Sequence, residues 1–291
     1  MSDLIYHYTD INALKSILTN EKLWMTSHEF LNDTEEFQDG FNRLQISLNK
    51  TLQNPQLTET TRQALNDMLK LLTNTIVLST SFSKNGDLLS QWRSYTPIEG
   101  GFAIGFDRTL LNIQYQDDES YINFFDCIYD KDEKQRLSEL FGETTLLELN
   151  RLKKFDNNLR TSFDHMMYHL LLFIISSKNN NFSEEKEIRL ATYIHKDLVE
   201  IDIENMSHSN ASTVQYENGR KLYSKKELLF RSKSNLLIPY IEQVIDLKSI
   251  KEIIVGPTTN KDTVIKSLEF FIKSLDLNIE IKSSNIPYRT F

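Results

Sequence analysis

Apolar and polar positions along this chain follow two periods, and the switches between them predict its elements. Leu4 to Tyr8 is β-branched and aromatic and reads as a strand. Thr9 or Asp10 then offers a side-chain oxygen to cap a helix, whose apolar stripe is Ile11, Leu14, Ile17 and Leu18. Leu23 to Thr26 reads as a second strand, and Asn32-Asp33 as a turn. From Glu35 to Leu72 the period is helical, interrupted at Asn54-Pro55-Gln56. Ile76 to Ser83 is rich in β-formers. A short helix is expected over 88–95, then strands over 102–106 and 123–129, and a largely helical stretch over 132–178. Strands follow at 188–193, 226–230 and 253–256, then a helix over 261–275 and a last strand over 279–282. The strands are too closely spaced for regular strand–helix–strand units. The expected fold is therefore α+β, with a mixed, largely antiparallel β core in a single domain over 1–291 and helical insertions near 35–74 and 132–180.

Composition narrows the classes. With 40% hydrophobic and 25% charged residues the chain has ordinary globular character. Its longest apolar run, Leu170 to Ile175, is too short to span a membrane, and the N-terminus has no signal-peptide core. One cysteine, Cys127, excludes an internal disulfide and a multi-thiolate zinc site, so a cytoplasmic setting without membrane association is expected. The net charge of −8 argues against broad phosphate binding, though a local basic groove would be compatible with it. Neither the P-loop nor the dinucleotide glycine fingerprint is present.

Several positions carry chemistry. His7 ends a strand just before a helix cap, where a ring can reach a ligand or simply bond to backbone. Ser79, Ser81 and Ser83 share one strand face, opposite Thr80 and Phe82; that face could line a nucleotide pocket or meet solvent. Trp92 and Tyr95 are three residues apart on a helix beside Arg93, suited to stacking and phosphate pairing, or to core packing. A strand starting at Glu185 would place Glu185, Glu187 and Arg189 on one face. Buried charges need partners. The alternatives are an exposed ion-paired edge and a site where the carboxylates stabilise a developing sugar cation. Arg231 and Arg289 are candidate anion partners, and Asn32, Asp33 and Glu36 read as turn chemistry. His165 and His169 have metal-ligand spacing on a helix, but no third ligand lies nearby and no metal is expected.

The ordered string Trp24, Asn32-Asp33, Ser81-Phe82-Ser83-Lys84, Trp92, Tyr95, Gly101 to Phe106, Ile128-Tyr129, Glu185 to Arg189, Gly256-Pro257 and Ile286 to Arg289 resembles a bacterial family known as domain of unknown function 2971, across nearly the whole chain. More distantly, Tyr6-His7-Tyr8-Thr9 followed by a helix looks like the first motif of histidine-type ADP-ribosyltransferases. That second resemblance implies a split β core of the ADP-ribosyltransferase type, with NAD as substrate in a cleft between His7 and Glu187. It implies that His7, with Tyr8 and Thr9, contacts the ribose, that Ser81 and Ser83 line the middle of the site, and that Trp92, Tyr95 or Phe102 packs on nicotinamide. Glu187 would be the catalytic carboxylate and Glu185 its companion. The arginine that those enzymes carry after the middle strand has no clear counterpart, since only Lys84 and Arg93 lie near. The implied activity is ADP-ribosyl transfer to a protein or nucleic acid, or NAD hydrolysis, in a bacterial toxin or phage-defence effector with an antitoxin or regulator as partner. The alternatives are a non-catalytic nucleotide-binding sensor of such a system and a nucleic-acid binder with a local basic groove.

Overall fold

The computed structural model describes residues 3–30, 34–55, 57–111, 122–152, 169–195, 215–217, 220–222 and 228–287. The strands are β1 (Leu4–Thr9), β2 (Lys22–Ser27), β3 (Thr75–Ser83), β4 (Phe102–Asp107), β5 (Asn123–Asp126) and β6 (Glu187–His195). They continue with β7 (Gln215–Glu217), β8 (Arg220–Leu222), β9 (Leu229–Lys233), β10 (Leu236–Val244), β11 (Ile250–Val255) and β12 (Glu280–Ser283). The helices are α1 (Ile11–Asn20), α2 (Thr34–Leu52), α3 (Glu59–Thr73), α4 (Leu89–Tyr95) and α5 (Lys131–Leu152), then α6 at residues 169–176 and α7 (Lys261–Ser274).

Ten strands form one mixed sheet in the order β12-β11-β4-β1-β3-β2-β10-β9, with β6 on the far edge of β3 and β5 beyond it. Among the described pairs only β11–β12 is parallel; β7 and β8 form a separate hairpin. The α+β class and the largely antiparallel core therefore agree with expectation. Asp10, rather than Thr9, caps α1: its Oδ1 accepts from the Ala13 amide at 2.8 Å.

β3 organises the sheet. One edge pairs with β6 along its full length, from Thr75↔His195 to Ser83↔Glu187. The other edge is shared by β2, at Leu78 and Ser79, and β1, at Ser83. Where β1 and β2 part, side chains replace the missing ladder. His7 Nδ1 donates to the Ser81 carbonyl at 3.0 Å, and Thr80 Oγ1 donates to the Trp24 carbonyl at 2.6 Å.

The two sheet faces differ in content. On one, Ile5, Met25, Leu78, Phe82, Ile104, Phe106, Ile188 and Leu190 pack with Leu14 and Leu18 of α1 and Leu268 and Ile272 of α7. Burying each such side chain contributes roughly 1.5–3 kcal/mol. A one-residue slip would turn the whole set outward, so the burial holds the register. On the other face, Val77 and Ala191 pack with Leu44 and Leu48 of α2, Leu65 and Met68 of α3, and Phe173 and Ile174 of α6. A smaller cluster of Tyr8, Trp92, Ala103 and Ile254 lies beside it.

β10 departs from expectation. Its run Leu236 to Val244 contains Pro239, which lacks the N–H a ladder uses and masks the strand in the sequence. It nevertheless pairs on both sides, with β2 and β9. The expected strand at 226–230 begins in the structure at Leu229, its residues 226 and 227 lying outside the described ones. The predicted 132–178 helix is described as α5 and α6.

Candidate functional site

The face of β3 that carries its serines also carries a cluster of buried charges. Ser79, Ser81 and Ser83 lie opposite Ala191, Arg189 and Glu187 of β6. The strand starts at Glu187, with Glu185 closing a 3-10 turn over Asn180–Glu185 and Lys186 in the left-handed region at φ 44°. That turn brings Glu185 back beside Glu187 although the two are not in one regular strand.

Four side chains then form a network. Arg189 grips Glu187 with two parallel bonds, Nε to Oε1 at 2.8 Å and Nη2 to Oε2 at 3.0 Å. Lys178, just beyond α6, donates to Glu187 Oε2 at 2.5 Å and to Glu185 Oε2. Arg189 Nη1 donates to the Ile175 carbonyl at 2.7 Å, and the Glu187 amide donates to the Tyr129 hydroxyl at 2.7 Å. All four residues are buried. Two carboxylates against two cations leave the network neutral, which makes its burial tolerable. Burial alone would raise the Glu187 pKa, but the Arg189 and Lys178 charges outweigh it and hold the carboxyl well below its usual range. Burial likewise opposes the Lys178 charge, and the Glu187 carboxylate beside it raises that pKa above the ordinary lysine value.

Around this floor stand polar and aromatic groups on the same face. His28 follows β2 in the two-residue alternation Trp24, Thr26, His28, and its Nε2 is hydrogen-bonded to Ser79 Oγ at 2.8 Å. Burial, reinforced by the Arg189 charge, pulls its pKa down to about 3, so it is neutral. Ser81 is half-buried. Tyr95 is 44% exposed overall. Burial of its phenol nevertheless pushes the pKa up to about 12, with Lys178, Glu185, Glu187 and Arg189 all within electrostatic reach. It remains a protonated donor at neutral pH. Lys178 also lies 5.3 Å from the centre of the Phe182 ring. Towards the opposite end, Thr26 pairs with Tyr240 of β10, and the Trp24 and Tyr240 rings lie 4.5 Å apart. Arg231 of β9 sits 5.8 Å from the Trp24 ring centre.

The expected residues divide into three sets. Glu185, Glu187, Ser81 and Tyr95 share this face. Tyr8, Ser83 and Trp92 are on it but buried and engaged in structural bonds. The Tyr8 hydroxyl donates to the Asn85 carbonyl at 2.8 Å and accepts from the Leu88 amide at 3.0 Å. Ser83 Oγ donates to the Glu185 carbonyl at 2.7 Å. Trp92 Nε1 donates to Asp87 Oδ1 at 2.8 Å, and its ring meets Tyr8 edge-on at 4.7 Å.

His7 and Thr9 form the third set, and here the expectation is corrected. β1 pairs with β3 at Tyr6↔Ser83 and with β4 at His7↔Ile104. Tyr6 thus shares the face of Ser83 and Glu187, while His7 and Thr9 share the face of Ile104, Phe82 and Ile188. The His7 ring lies 5.8 Å from the Phe82 ring, on the apolar side. His7 and Glu187 point to opposite sides of the sheet and do not form one cleft. Phe102 likewise belongs to the apolar cluster of that opposite side.

Lys178, His28 and Tyr240 were absent from the sequence-derived set. The alternation of β2, extended one residue past its end, reaches His28, and Lys178 is a lone cation between an apolar helix and two carboxylates. Asn32, Asp33, His165 and Arg289 lie outside the described residues, as does the side chain of Glu36. Among the described residues no group of three or more His, Cys, Asp or Glu could hold a metal, and no helix is long and apolar enough to cross a membrane.

Residues 91–190 match the model of a protein family of unknown function, DUF2971. This segment, shorter than the whole-chain resemblance, contains Tyr95, Lys178, Glu185, Glu187 and Arg189. No curated protein and no solved structure matches the chain, so the comparisons give no support to a likeness to ADP-ribosyltransferases.

Proposed function

We propose that the Glu187 face of the sheet is a binding site for a nucleotide of the NAD type, in a sensor-like module rather than in the His7–Glu187 cleft of a transferase. One observation carries the reading. The buried, charge-balanced cluster of Lys178, Glu185, Glu187 and Arg189 lies on the same sheet face as the half-buried Ser81, the partly exposed Tyr95 and the Trp24–Tyr240 ring pair. Hydroxyls and fixed charges suit a ribose, and aromatic rings suit a base.

The test is thermal unfolding with added NAD. A ligand at 100 times its dissociation constant stabilises by about 2.7 kcal/mol, which is several degrees here. Ser81→Ala and Tyr95→Phe, each losing one hydroxyl, are expected to reduce the shift. Absence of stabilisation by NAD and by adenosine monophosphate at millimolar concentration overturns the reading.

A second reading has Glu187 in its favour, an ionised carboxylate fixed on a polar face. In it the nicotinamide–ribose bond breaks, nicotinamide leaves with the bonding pair, Glu187 stabilises the oxocarbenium ion, and water or a macromolecular acceptor attacks. The two cations already paired with Glu187 weigh against it. Nicotinamide release measured on the same samples separates the two readings. Release abolished by Glu187→Gln establishes turnover; stabilisation without release establishes binding alone.

A further inference from the structure

On this face the two cations of the charged cluster are committed. Arg189 engages Glu187 with its Nε–Nη2 edge, and Lys178 bridges Glu185 and Glu187. Arg231 presents the same edge without a carboxylate. Its Nε is buried with no hydrogen-bond partner among the described residues, and its Nη2 reaches only Thr26 Oγ1, at 3.4 Å. The guanidinium is held against the Trp24 ring, which packs in turn on Tyr240. Arg231 as a whole is half-buried. A guanidinium edge of that kind pairs in two-pronged fashion with a phosphate or carboxylate.

We infer that Arg231 is the anion-binding residue of this face and that it takes a phosphate of the bound nucleotide; this rests on the nucleotide reading above. The spacing agrees. Thr26, the hydroxyl that Arg231 reaches, pairs with Ser79 on β3, and Ser79 with Ala191 on β6, two residues along from Arg189, a span of two strand spacings or about 10 Å. A ribose near the charged floor therefore leaves its phosphate within reach of Arg231.

Adenosine monophosphate and adenosine are the probes. Binding is followed by thermal shift and by emission from Trp24, which is 39% exposed; Trp92 is buried, and Trp24→Phe removes the signal. Arg231→Gln is expected to weaken adenosine monophosphate at least about ten-fold, or 1.4 kcal/mol, and to leave adenosine unchanged. Arg231→Lys, which keeps the charge but not the fork, should fall between the two. An equal loss for both probes overturns the phosphate assignment. If Arg231→Gln binds adenosine monophosphate like wild type, Arg231 is not the anion site and the nucleotide reading stands. If no nucleotide stabilises the wild-type protein, the nucleotide reading itself fails and this assignment with it.

Discussion

Acidification will expose the neutral state of His28. This residue is 3% exposed and hydrogen-bonded to Ser79, and its pKa falls from the ordinary 6.5 to about 3. Burial is the main cause, and the Arg189 charge adds to it. Between these two values the unfolded chain binds a proton that the folded chain refuses, so stability rises with pH there and is complete above about 6.5. At about pH 5 the unfolded form is favoured by the 1.5 units below its own pKa, which costs about 2 kcal/mol relative to about pH 7.5. At 2–4 °C per kcal/mol this amounts to roughly 4–8 °C in Tm. The buried carboxylate does not confound the window. The Glu187 pKa is lowered from 4.5, so its contribution is intact above that value and is lost only on further acidification. The assay is urea unfolding of wild type and His28→Gln at several pH values across this range. Gln keeps a neutral polar group facing Ser79. Wild type should lose about 2 kcal/mol more than the variant, with the divergence beginning near pH 6.5. Parallel curves would refute the argument, because they would mean that His28 accepts a proton in the folded protein or contributes no differential titration.

Two further outcomes follow from the packing. Lys178→Met removes one cation from the buried network and leaves Glu185 and Glu187 short of a charge partner; the expected loss is about 3–5 kcal/mol in urea unfolding, with part restored when Glu187→Gln is added. Gly101→Ala places a Cβ 2.3 Å from the Thr96 Cβ and 2.9 Å from the Thr9 carbonyl oxygen, so a loss of about 1–3 kcal/mol is expected in thermal melts.

The parts of the fold legible in the sequence were those set by local period. The stripe of α1, its cap, and the parity of Ser79, Ser81 and Ser83 all follow from spacing within one element. β10 was hidden because it contains Pro239, and only pairing on both edges makes it a strand. The site was half legible for a related reason. Glu187 and Arg189 share a face by parity alone, but their neutralisation depends on Lys178, which arrives from α6, and on the turn that folds Glu185 back.

The error over His7 has a sharper physical cause. Parity within β1 already groups His7 with Ile5, and Ile5 is fully buried in the apolar cluster. What parity cannot supply is which set of β1 shares a side with Glu187, because that depends on the cross-strand register Tyr6↔Ser83↔Glu187. A shift of one residue in that register would have put His7 beside Glu187 and sent Tyr6 and Tyr8 into the apolar core. The register observed instead seats Tyr8 against Trp92, bonds Tyr6 to Glu252 at 3.0 Å, and leaves the His7 ring to close the gap where β1 and β2 part. Three side chains, including two with long polar tips, are satisfied by it at once. The structural use of His7 is thus the consequence of where its neighbours Tyr6 and Tyr8 find their partners, and the polar chemistry of the chain collects on the tyrosine side of the strand.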